Sequence, residues 1–208
     1  MSLAAGIAQG AAAMGIDLGE AAVGKLDAYL QLVEKWNRVH NLTAVREPAQ
    51  MVTLHLLDSL SILPHVANAG TLLDVGTGPG LPGIPLAIAR PAMRVTLLDS
   101  SHKKCAFLQQ AKTELGLANV EVVCDRVENW KPEQRFDVVV SRAFSDLADF
   151  VEQAKHLVAP GGRLMAMKGV YPFEEIARMP ASHRVAQVVE LRVPQLDASR
   201  HVVFVEAA

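Results

Sequence analysis

The fold of this chain is decided by one stretch of sequence, Leu72-Leu73-Asp74-Val75-Gly76-Thr77-Gly78-Pro79-Gly80-Leu81-Pro82-Gly83. An apolar segment ends in the carboxylate of Asp74 and breaks at once into a glycine-rich turn. This pattern is typical of a buried strand that leads to a nucleotide-type ligand site. Glycine allows a positive φ and lets a ligand lie close against bare backbone. The turn leads into the apolar segment 84–89, which predicts a helix whose free N–H groups face the loop.

The glycines of this stretch fit two ligand patterns. Gly76, Gly78 and Gly80 give the G-x-G-x-G of S-adenosylmethionine (SAM) sites, whereas Gly78, Gly80 and Gly83 give the dinucleotide pattern G-x-G-x-x-G. Both ligands carry an adenosine ribose, so both patterns predict a carboxylate at the end of the second strand to hold the ribose diol. Asp99 closes the next apolar segment and is the predicted carboxylate in either case.

Three features favour SAM over a dinucleotide. Asp74 lies directly before the loop, where a carboxylate suits the ammonium and sulfonium groups of SAM but would repel a pyrophosphate. Three prolines within 79–85 remove backbone donors that a pyrophosphate would use. The segments 185–193 and 201–205 predict two terminal strands with no helix between them, which gives a mixed sheet rather than the parallel sheet of dinucleotide domains. Gly83 is then expected to serve helix packing.

Length and composition limit the possible classes of protein. The 208 residues are half hydrophobic and one-fifth charged, which predicts one folded domain with an appendage. A net charge of −2 gives no uniformly basic surface, so nucleic-acid binding would need a local basic patch. Cys105 and Cys124 have no zinc-type spacing and predict reduced core thiols. With no signal-peptide pattern and no long apolar window, the sequence predicts a soluble, cytoplasmic protein.

The pattern of hydrophobic residues changes near residue 70, from a helical repeat to short apolar strands that alternate with helical segments. We expect an N-terminal helical cap over 1–69, in which residues 1–24 are partly frayed, and a SAM-binding domain over 70–208. After residue 70, strands alternate with helices, so we expect right-handed βαβ units and an α/β, Rossmann-like sheet. The predicted strands, besides the terminal pair, are 71–75, 94–99, 120–124, 136–141 and 163–168, and the predicted helices are about 82–90, 103–116 and 145–158.

Further motifs extend over nearly the whole chain. They are Lys35-Trp36-Asn37, Asn41-Leu42-Thr43, His55, Asp58-Ser59, the 74–85 loop, Leu97-Leu98-Asp99-Ser100, Arg126-Val127-Glu128, Ser141-Arg142-Ala143 and Lys168-Gly169. In these motifs and their order the chain resembles the ribosomal RNA small-subunit methyltransferase G family, also called glucose-inhibited division protein B. The resemblance implies a class I SAM-dependent methyltransferase fold, with a seven-stranded, mostly parallel sheet that ends in an antiparallel hairpin strand. It also implies methyl transfer from SAM to N7 of a guanine in 16S ribosomal RNA.

The resemblance and the residues together assign candidate roles. The family's cofactor contacts correspond to Gly76, Leu81, Val127, Glu128 and Arg142. From the chemistry of SAM, the backbone of 76–80 would pass under its methionine moiety with Asp74 near the ammonium, and Asp99 would accept both ribose hydroxyls. Arg142 ends the fourth strand, where it would hold the methionine carboxylate or an RNA phosphate.

Guanine N7 presents a lone pair, so its methylation needs no prior deprotonation and depends on positioning and desolvation. Arg142 and His55 are the predicted catalytic residues. The predicted RNA-binding residues are Arg38, Arg46, His55, Lys168 and Arg200. We expect a monomer that binds 16S ribosomal RNA or the small subunit, with no metal and no membrane.

Three other functions are compatible with parts of the sequence. The helical cap could close over a metabolite in a small-molecule SAM methyltransferase. The fold could serve as a non-catalytic RNA-binding or assembly factor, although an intact glycine loop and Asp99 argue against this. An NAD-dependent oxidoreductase would require the dinucleotide pattern that Asp74 and the prolines disfavour.

Overall fold

A single seven-stranded sheet organises the computed structural model, which describes residues 2–142, 144 and 146–208. The strand order is β3-β2-β1-β4-β5-β7-β6. Strands β1 to β5 are parallel to one another, and β7 runs antiparallel to both β5 and β6. The strands are β1 (Thr71–Val75), β2 (Arg94–Asp99), β3 (Val120–Cys124), β4 (Phe136–Ser141), β5 (Val158–Lys168), β6 (His183–Glu190) and β7 (His201–Ala207). The predicted mostly parallel sheet with a terminal antiparallel hairpin is confirmed.

The central strand β1 places the glycine loop at the middle of the sheet. It pairs with β2 on one side and with β4 on the other, and four of its five residues are buried. The strand order reverses between β1 and β4, and such reversals open a crevice at the carboxyl edge of a parallel sheet. The glycine loop after β1, Asp99 at the end of β2 and Arg142 after β4 all meet this edge.

After residue 70, the described part of the chain has four α-helices and a 3₁₀ turn (Lys155–Leu157). The α-helices are α5 (Gly83–Ala89), α6 (His102–Glu114), α7 (Leu147–Ala154) and α8 (Phe173–Ala177). The side chain of Ser101 caps α6, and that of Asp146 caps α7 by accepting from the N–H of Ala148 at 2.8 Å. The helix predicted over 145–158 therefore begins at Leu147, and its predicted first residue lies outside the described residues. Predicted helix boundaries elsewhere agree to within two residues.

Strand β5 begins five residues before the predicted start at 163. The glycines at 161–162 suggest a turn, but they lie inside the strand, where the pairing with β4 shifts between Phe136 and Val138. A Cβ at Gly162 would lie 2.8 Å from the carbonyl oxygen of Asp137, so only glycine fits this irregular pairing. The predicted start of β5 at residue 163 was wrong because glycine occurs both in turns and in β-bulges.

Before residue 70 the chain is helical from its first described residues. The elements are α1 (Leu3–Ala13), α2 (Gly19–His40), α3 (Pro48–Met51), a π-helical stretch (Val52–Leu57), α4 (Asp58–Leu60) and a 3₁₀ turn (Leu63–Val66). The prediction that residues 1–24 are partly frayed is wrong, because Ile7 and Ala11 are buried and α1 packs against the π-helical stretch. A Cβ at Gly10 would overlap the side chain of Leu57, so glycine allows this close approach.

These helices share a hydrophobic core with one face of the sheet. A continuous cluster of buried residues runs from Ile7 in α1 through Leu57 to Leu97 in β2. The division into a cap over 1–69 and a domain over 70–208 therefore stays a prediction. Within the described residues, no helix combines the length and apolar character that crossing a bilayer requires.

Candidate functional site

The glycine loop folds back onto the ends of two strands. Gly76, Gly78 and Gly80 all have positive φ values, of 65°, 62° and 100°, which a residue with a Cβ adopts only under strain. The N–H of Gly76 donates to the carbonyl of Leu98 at 2.8 Å, and the N–H of Gly78 donates to Oδ2 of Asp99 at 2.9 Å. The loop and the end of β2 are thus one hydrogen-bonded unit.

Asp74 supports this loop from within the protein. Its side chain is fully buried, and Oδ2 accepts from the hydroxyl of Thr77 at 2.5 Å and from the N–H of Gly83 at 2.8 Å. Burial raises the pKa of Asp74 to about 6, although these two hydrogen bonds and the nearby Arg142 oppose the rise. A Cβ at Gly83 would lie 2.9 Å from Oδ2, which explains the glycine there as a packing requirement. Oδ1 of Asp74 is buried and has no hydrogen-bond partner among the described residues. The expected place of Asp74 beside the cofactor's ammonium stays a prediction.

A cavity of about 660 Å³ opens beside the loop, at the carboxyl edge of β1 and β2. Its lining residues are Val75, Gly76, Leu98, Asp99, Ser100, Lys104, Asp125, Arg126, Val127, Glu128, Phe144 and Gln153. Among the predicted cofactor residues, Gly76, Asp99, Val127 and Glu128 line this cavity. Val127 is buried and contributes an apolar wall, while the side chain of Glu128 is partly exposed.

Asp99 is the best-prepared acceptor of this cavity. Its side chain is buried, Oδ2 accepts from Gly78 and Oδ1 accepts from the N–H of Ser101 at 2.9 Å. A carboxylate offers about four lone-pair positions, so two remain for hydroxyls of a ligand. The ammonium of Lys104 lies 3.6 Å from Oδ2 and adds a positive charge.

The other five predicted cofactor residues are not among those that line this cavity, namely Asp74, Gly78, Gly80, Leu81 and Arg142. Leu81 is buried in the core that the helices before residue 70 share with the sheet, and its contact with the cofactor stays a prediction. Gly80 packs against the side chains of Ile84 and Leu108, and a Cβ there would lie too close to both. Gly78 donates its N–H to Asp99 and does not form part of the cavity wall.

Sequence reasoning missed Ser100, Lys104, Phe144 and Gln153 as cavity residues. Lys104 lies in the first turn of α6, and its ammonium is 3.6 Å from Oδ2 of Asp99. Tyr29 was also missed. Its hydroxyl donates to the carbonyl of Pro79 at 2.7 Å and ties α2 to the glycine loop.

A second cleft, of about 380 Å³, lies at the same edge of the sheet, between β4, β5 and the helices before residue 70. It is lined by Val45, Leu54, His55, Asp58, Arg142, Met167, Lys168, Gly169, Leu191, Arg200 and His201. Four residues predicted to be catalytic or RNA-binding therefore lie together here, although they are up to 145 positions apart in the sequence (His55 to Arg200).

Two arginines of this cleft share one carboxylate. Arg142 donates to Oδ2 of Asp58 at 2.9 Å and to the carbonyl of Leu54 at 3.3 Å. Arg200 donates from Nε to Oδ1 of Asp58, also at 2.9 Å. Asp58 is only 4% exposed and neutralises one of the two charges. Lys168 lines the same cleft and pairs with Glu175 at 2.7 Å. Three cationic side chains therefore face two carboxylates, and the cluster keeps a net positive charge.

His55 differs from its prediction as a member of a basic surface. Its Nε2 lies 3.0 Å from the hydroxyl of Thr43, and its Nδ1 is buried with no hydrogen-bond partner among the described residues. Burial lowers the pKa of His55, and Arg142 lowers it further, so the imidazole is neutral at pH 7. His55 therefore gives this cleft a hydrogen-bonding group rather than a charge.

Arg38 and Arg46 lie outside this cleft. Arg38 is exposed on α2 and pairs with Glu34 at 2.7 Å. Arg46 donates to the carbonyl of Asn37 at 3.2 Å and to the side chain of Asn41 at 2.8 Å, which holds the turn after α2. Of the predicted basic residues, Arg142, Lys168 and Arg200 thus lie together in the cleft, whereas Arg38 on α2 and Arg46 in the turn after it lie outside it.

The two cysteines differ in their surroundings. Cys105 is buried, and burial raises its pKa to about 12, so the thiol keeps its proton. Cys124 is exposed, which corrects its prediction as a core residue. Among the described residues, no group of three or more His, Cys, Asp or Glu side chains is arranged to hold a metal ion.

Comparison with known proteins agrees with this geometry. The model of the family described as rRNA small subunit methyltransferase G matches residues 22–203. The chain is 55% identical to the ribosomal RNA small subunit methyltransferase G of Aromatoleum aromaticum, over 98% of both chains. It is 53% identical to the protein of the same name from Nitrosospira multiformis, over 100% of this chain and 99% of the relative.

A solved structure supports the fold. The O-methyltransferase from Bacillus cereus in complex with S-adenosylhomocysteine (SAH) superposes with a TM-score of 0.60 at 20% identity. The match covers 87% of this chain and 91% of the other. The predicted class I SAM-dependent methyltransferase fold is thereby confirmed.

Proposed function

The chain belongs to the rRNA small subunit methyltransferase G family, and on that premise we propose that it transfers the methyl group of SAM to N7 of a guanine in 16S ribosomal RNA. The observation that carries the proposal is the meeting of two sites at one edge of the sheet. A cavity with a prepared carboxylate adjoins the glycine loop, and a positively charged cleft lies beside it.

The residues around the first cavity fit SAM. Asp99 keeps two lone-pair positions for the ribose hydroxyls, since the N–H groups of Gly78 and Ser101 use the others. The positive φ of Gly76 leaves bare backbone at the cavity wall, where the methionine moiety would lie. Val127 offers an apolar surface for the adenine ring, with Glu128 beside it. When bound, SAM supplies an electrophilic methyl group on its sulfonium.

The second cleft fits a guanosine in an RNA strand. Arg142 and Arg200 are held in fixed directions by Asp58, so their remaining N–H groups are prepared for phosphate oxygens. Lys168 lines the cleft and donates to the carbonyl of Phe144, which lines the first cavity. This hydrogen bond connects the linings of the two sites. Methyl transfer from a cofactor to a base requires such adjoining sites.

The chemistry at N7 needs no base from the protein. With SAM bound, the N7 lone pair would take the methyl carbon, and the electron pair of the broken carbon–sulfur bond would stay on sulfur. Among the predicted catalytic residues, Arg142 would hold the substrate. Neutral His55 would fix the wall of the cleft through its contact with the hydroxyl of Thr43. The protein lowers the barrier by alignment and by exclusion of water. We further propose that it acts in the cytoplasm, on the small subunit or its RNA, as a monomer.

Methyl transfer from tritiated SAM tests this function. We expect label in 16S ribosomal RNA when the protein is incubated with small subunits or RNA that lack the modification, and none with Asp99→Ala. Label in neither substrate, with a folded protein that binds SAM, would instead favour a small-molecule methyltransferase.

A further inference from the structure

Apolar side chains are exposed in one short segment that follows β5. Val170 is 76% exposed, Tyr171 39% and Phe173 73%. They are three of the four large apolar side chains that are exposed among the described residues, and the fourth, Val39, lies on α2. Isolated exposed apolar residues are common, but a cluster at a functional edge indicates a contact surface.

The two aromatic rings of this segment are held together. The ring centroids of Tyr171 and Phe173 are 4.2 Å apart with an angle of 38° between their planes. The N–H of Phe173 donates to the carbonyl of Tyr171 at 3.1 Å, which keeps the segment in a tight turn. The ring of Tyr171 also meets that of His201 at 5.7 Å, nearly edge to face. The pair is therefore ordered before any partner arrives.

This aromatic pair adjoins the positively charged cleft. His201, which contacts Tyr171, lines the cleft, and so does Gly169, two residues before Tyr171. Lys168 pairs with Glu175 of α8 and so fixes the helix that carries Phe173 to the end of β5. A chain that crossed the cleft over Arg200 would therefore meet the rings next.

Positive charge beside exposed rings is the surface that single-stranded nucleic acid requires. Phosphates pair with the cations, and unstacked bases lie on the aromatic faces. We propose that Tyr171 and Phe173 stack on an unpaired base of the RNA substrate, next to the target guanosine, while Arg200 and Arg142 hold the phosphates between them. This inference rests on the proposed function, and it adds the contact that selects unpaired RNA.

Substitution of the rings tests the stacking. Since one base–aromatic stack contributes about 1–3 kcal/mol, Tyr171→Ala and Phe173→Ala should each raise the KM for RNA about 5- to 100-fold. Tyr171→Phe keeps the ring and should retain a nearly normal KM. Val39→Ala removes an equally exposed apolar side chain outside the segment and serves as the matched control. Affinity for SAM, measured by calorimetry, and the thermal midpoint should be unchanged in all four variants.

The assay uses two substrates, unmodified small subunits and protein-free 16S ribosomal RNA. A raised KM with both substrates for the alanine variants supports the stacking. A KM like that of Val39→Ala with both substrates overturns it, as does an effect on subunits alone, which would show contact with a ribosomal protein. If the unaltered chain methylates neither substrate, the proposed function fails, which is distinguishable from failure of the stacking alone.

Discussion

At the scale of single residues, Asp99 connects the sequence pattern to the chemistry of the cavity. Its position at the end of β2 predicted a ribose contact, and the structure adds that backbone N–H groups of Gly78 and Ser101 orient its carboxylate. Because these donors fix both oxygens, the ligand hydroxyls meet an acceptor that needs no rearrangement. Asp99 therefore both holds the loop and is available to the cofactor.

Replacement of Asp99 should remove cofactor binding. Each hydrogen bond to a charged group contributes about 1.5–3 kcal/mol, so Asp99→Ala should weaken SAM or SAH binding by about 100-fold or more. Asp99→Asn keeps the shape and should lose less. Calorimetric titration with SAH measures both, with Asp27→Ala on the surface of α2 as control. Equal affinity in Asp99→Ala and the control would exclude the ribose contact.

Asp74 gives the protein a predictable pH dependence. Its pKa is about 6 in the folded protein and 3.8 in a model peptide, so the folded state binds the proton more tightly. Between these values the folded state holds a proton that the unfolded chain releases, and the contribution of Asp74 to the free energy of unfolding rises as pH falls from 7 towards 4.

The variant Asp74→Asn lacks this titration. The free energy of unfolding of the variant minus that of the unaltered chain should therefore be largest above pH 7. This difference should decrease by roughly 1–3 kcal/mol by pH 4. Denaturant unfolding of both proteins from pH 4 to pH 8 measures the difference. A difference that is constant over this range would show that Asp74 titrates normally.

At the scale of elements, the π-helical stretch and α4 bring Asp58 to the cleft. The sequence predicted a helical cap here but not its π-helical stretch, because hydrophobic periodicity does not reveal such a widening within a helix. Asp58 there contacts Arg142 after β4 and Arg200 before β7, so three elements meet at one carboxylate.

Asp58→Asn tests this junction. Without the charge, the two guanidiniums lose their common partner, and kcat/KM for RNA should fall at least about 10-fold while SAH affinity stays the same. Asp149→Asn, an exposed carboxylate on α7, is the matched control. RNA turnover as fast as in the control would contradict a role of Asp58 in arginine placement.

The elements also show how far the sequence could predict the structure. Strands β1 to β4 have the predicted bounds, because buried parallel strands are short apolar runs with polar ends. Helix α1 was missed, since its glycines lower helix propensity and its stability comes from packing of Ile7 against distant residues. In the cavity, Gly76, Asp99 and Val127 were found from motifs, whereas Phe144 and Gln153 reach it through folding alone.

At the scale of the whole molecule, a net charge of −2 coexists with a local positive cluster. Arg142, Arg200 and Lys168 are drawn from separate parts of the chain, so composition could not reveal their meeting. The cavity beside the glycine loop and this cleft lie at the same edge of the sheet and are joined by the bond from Lys168 to Phe144. The proposed sites for the cofactor and for RNA therefore adjoin each other.

RNA binding should accordingly depend on salt, whereas SAM binding should not. Each phosphate contact releases counterions, so the slope of log K against log salt should be negative and should become shallower by about 0.7 in Arg200→Ala. Filter binding of 16S ribosomal RNA over a salt series measures the slope, with Arg184→Ala in β6 as control. An identical slope in both variants would remove Arg200 from the phosphate contacts.

We propose that SAM and RNA meet at this edge so that a guanine N7 receives the methyl group. Mass mapping of modified nucleotides in 16S ribosomal RNA tests this, after incubation with SAM and either the unaltered protein or Asp99→Ala. We expect N7-methylguanine at one position with the unaltered protein and none with the variant. Methylation of a different atom, or of no ribosomal RNA nucleotide by a protein that binds SAM, would contradict it.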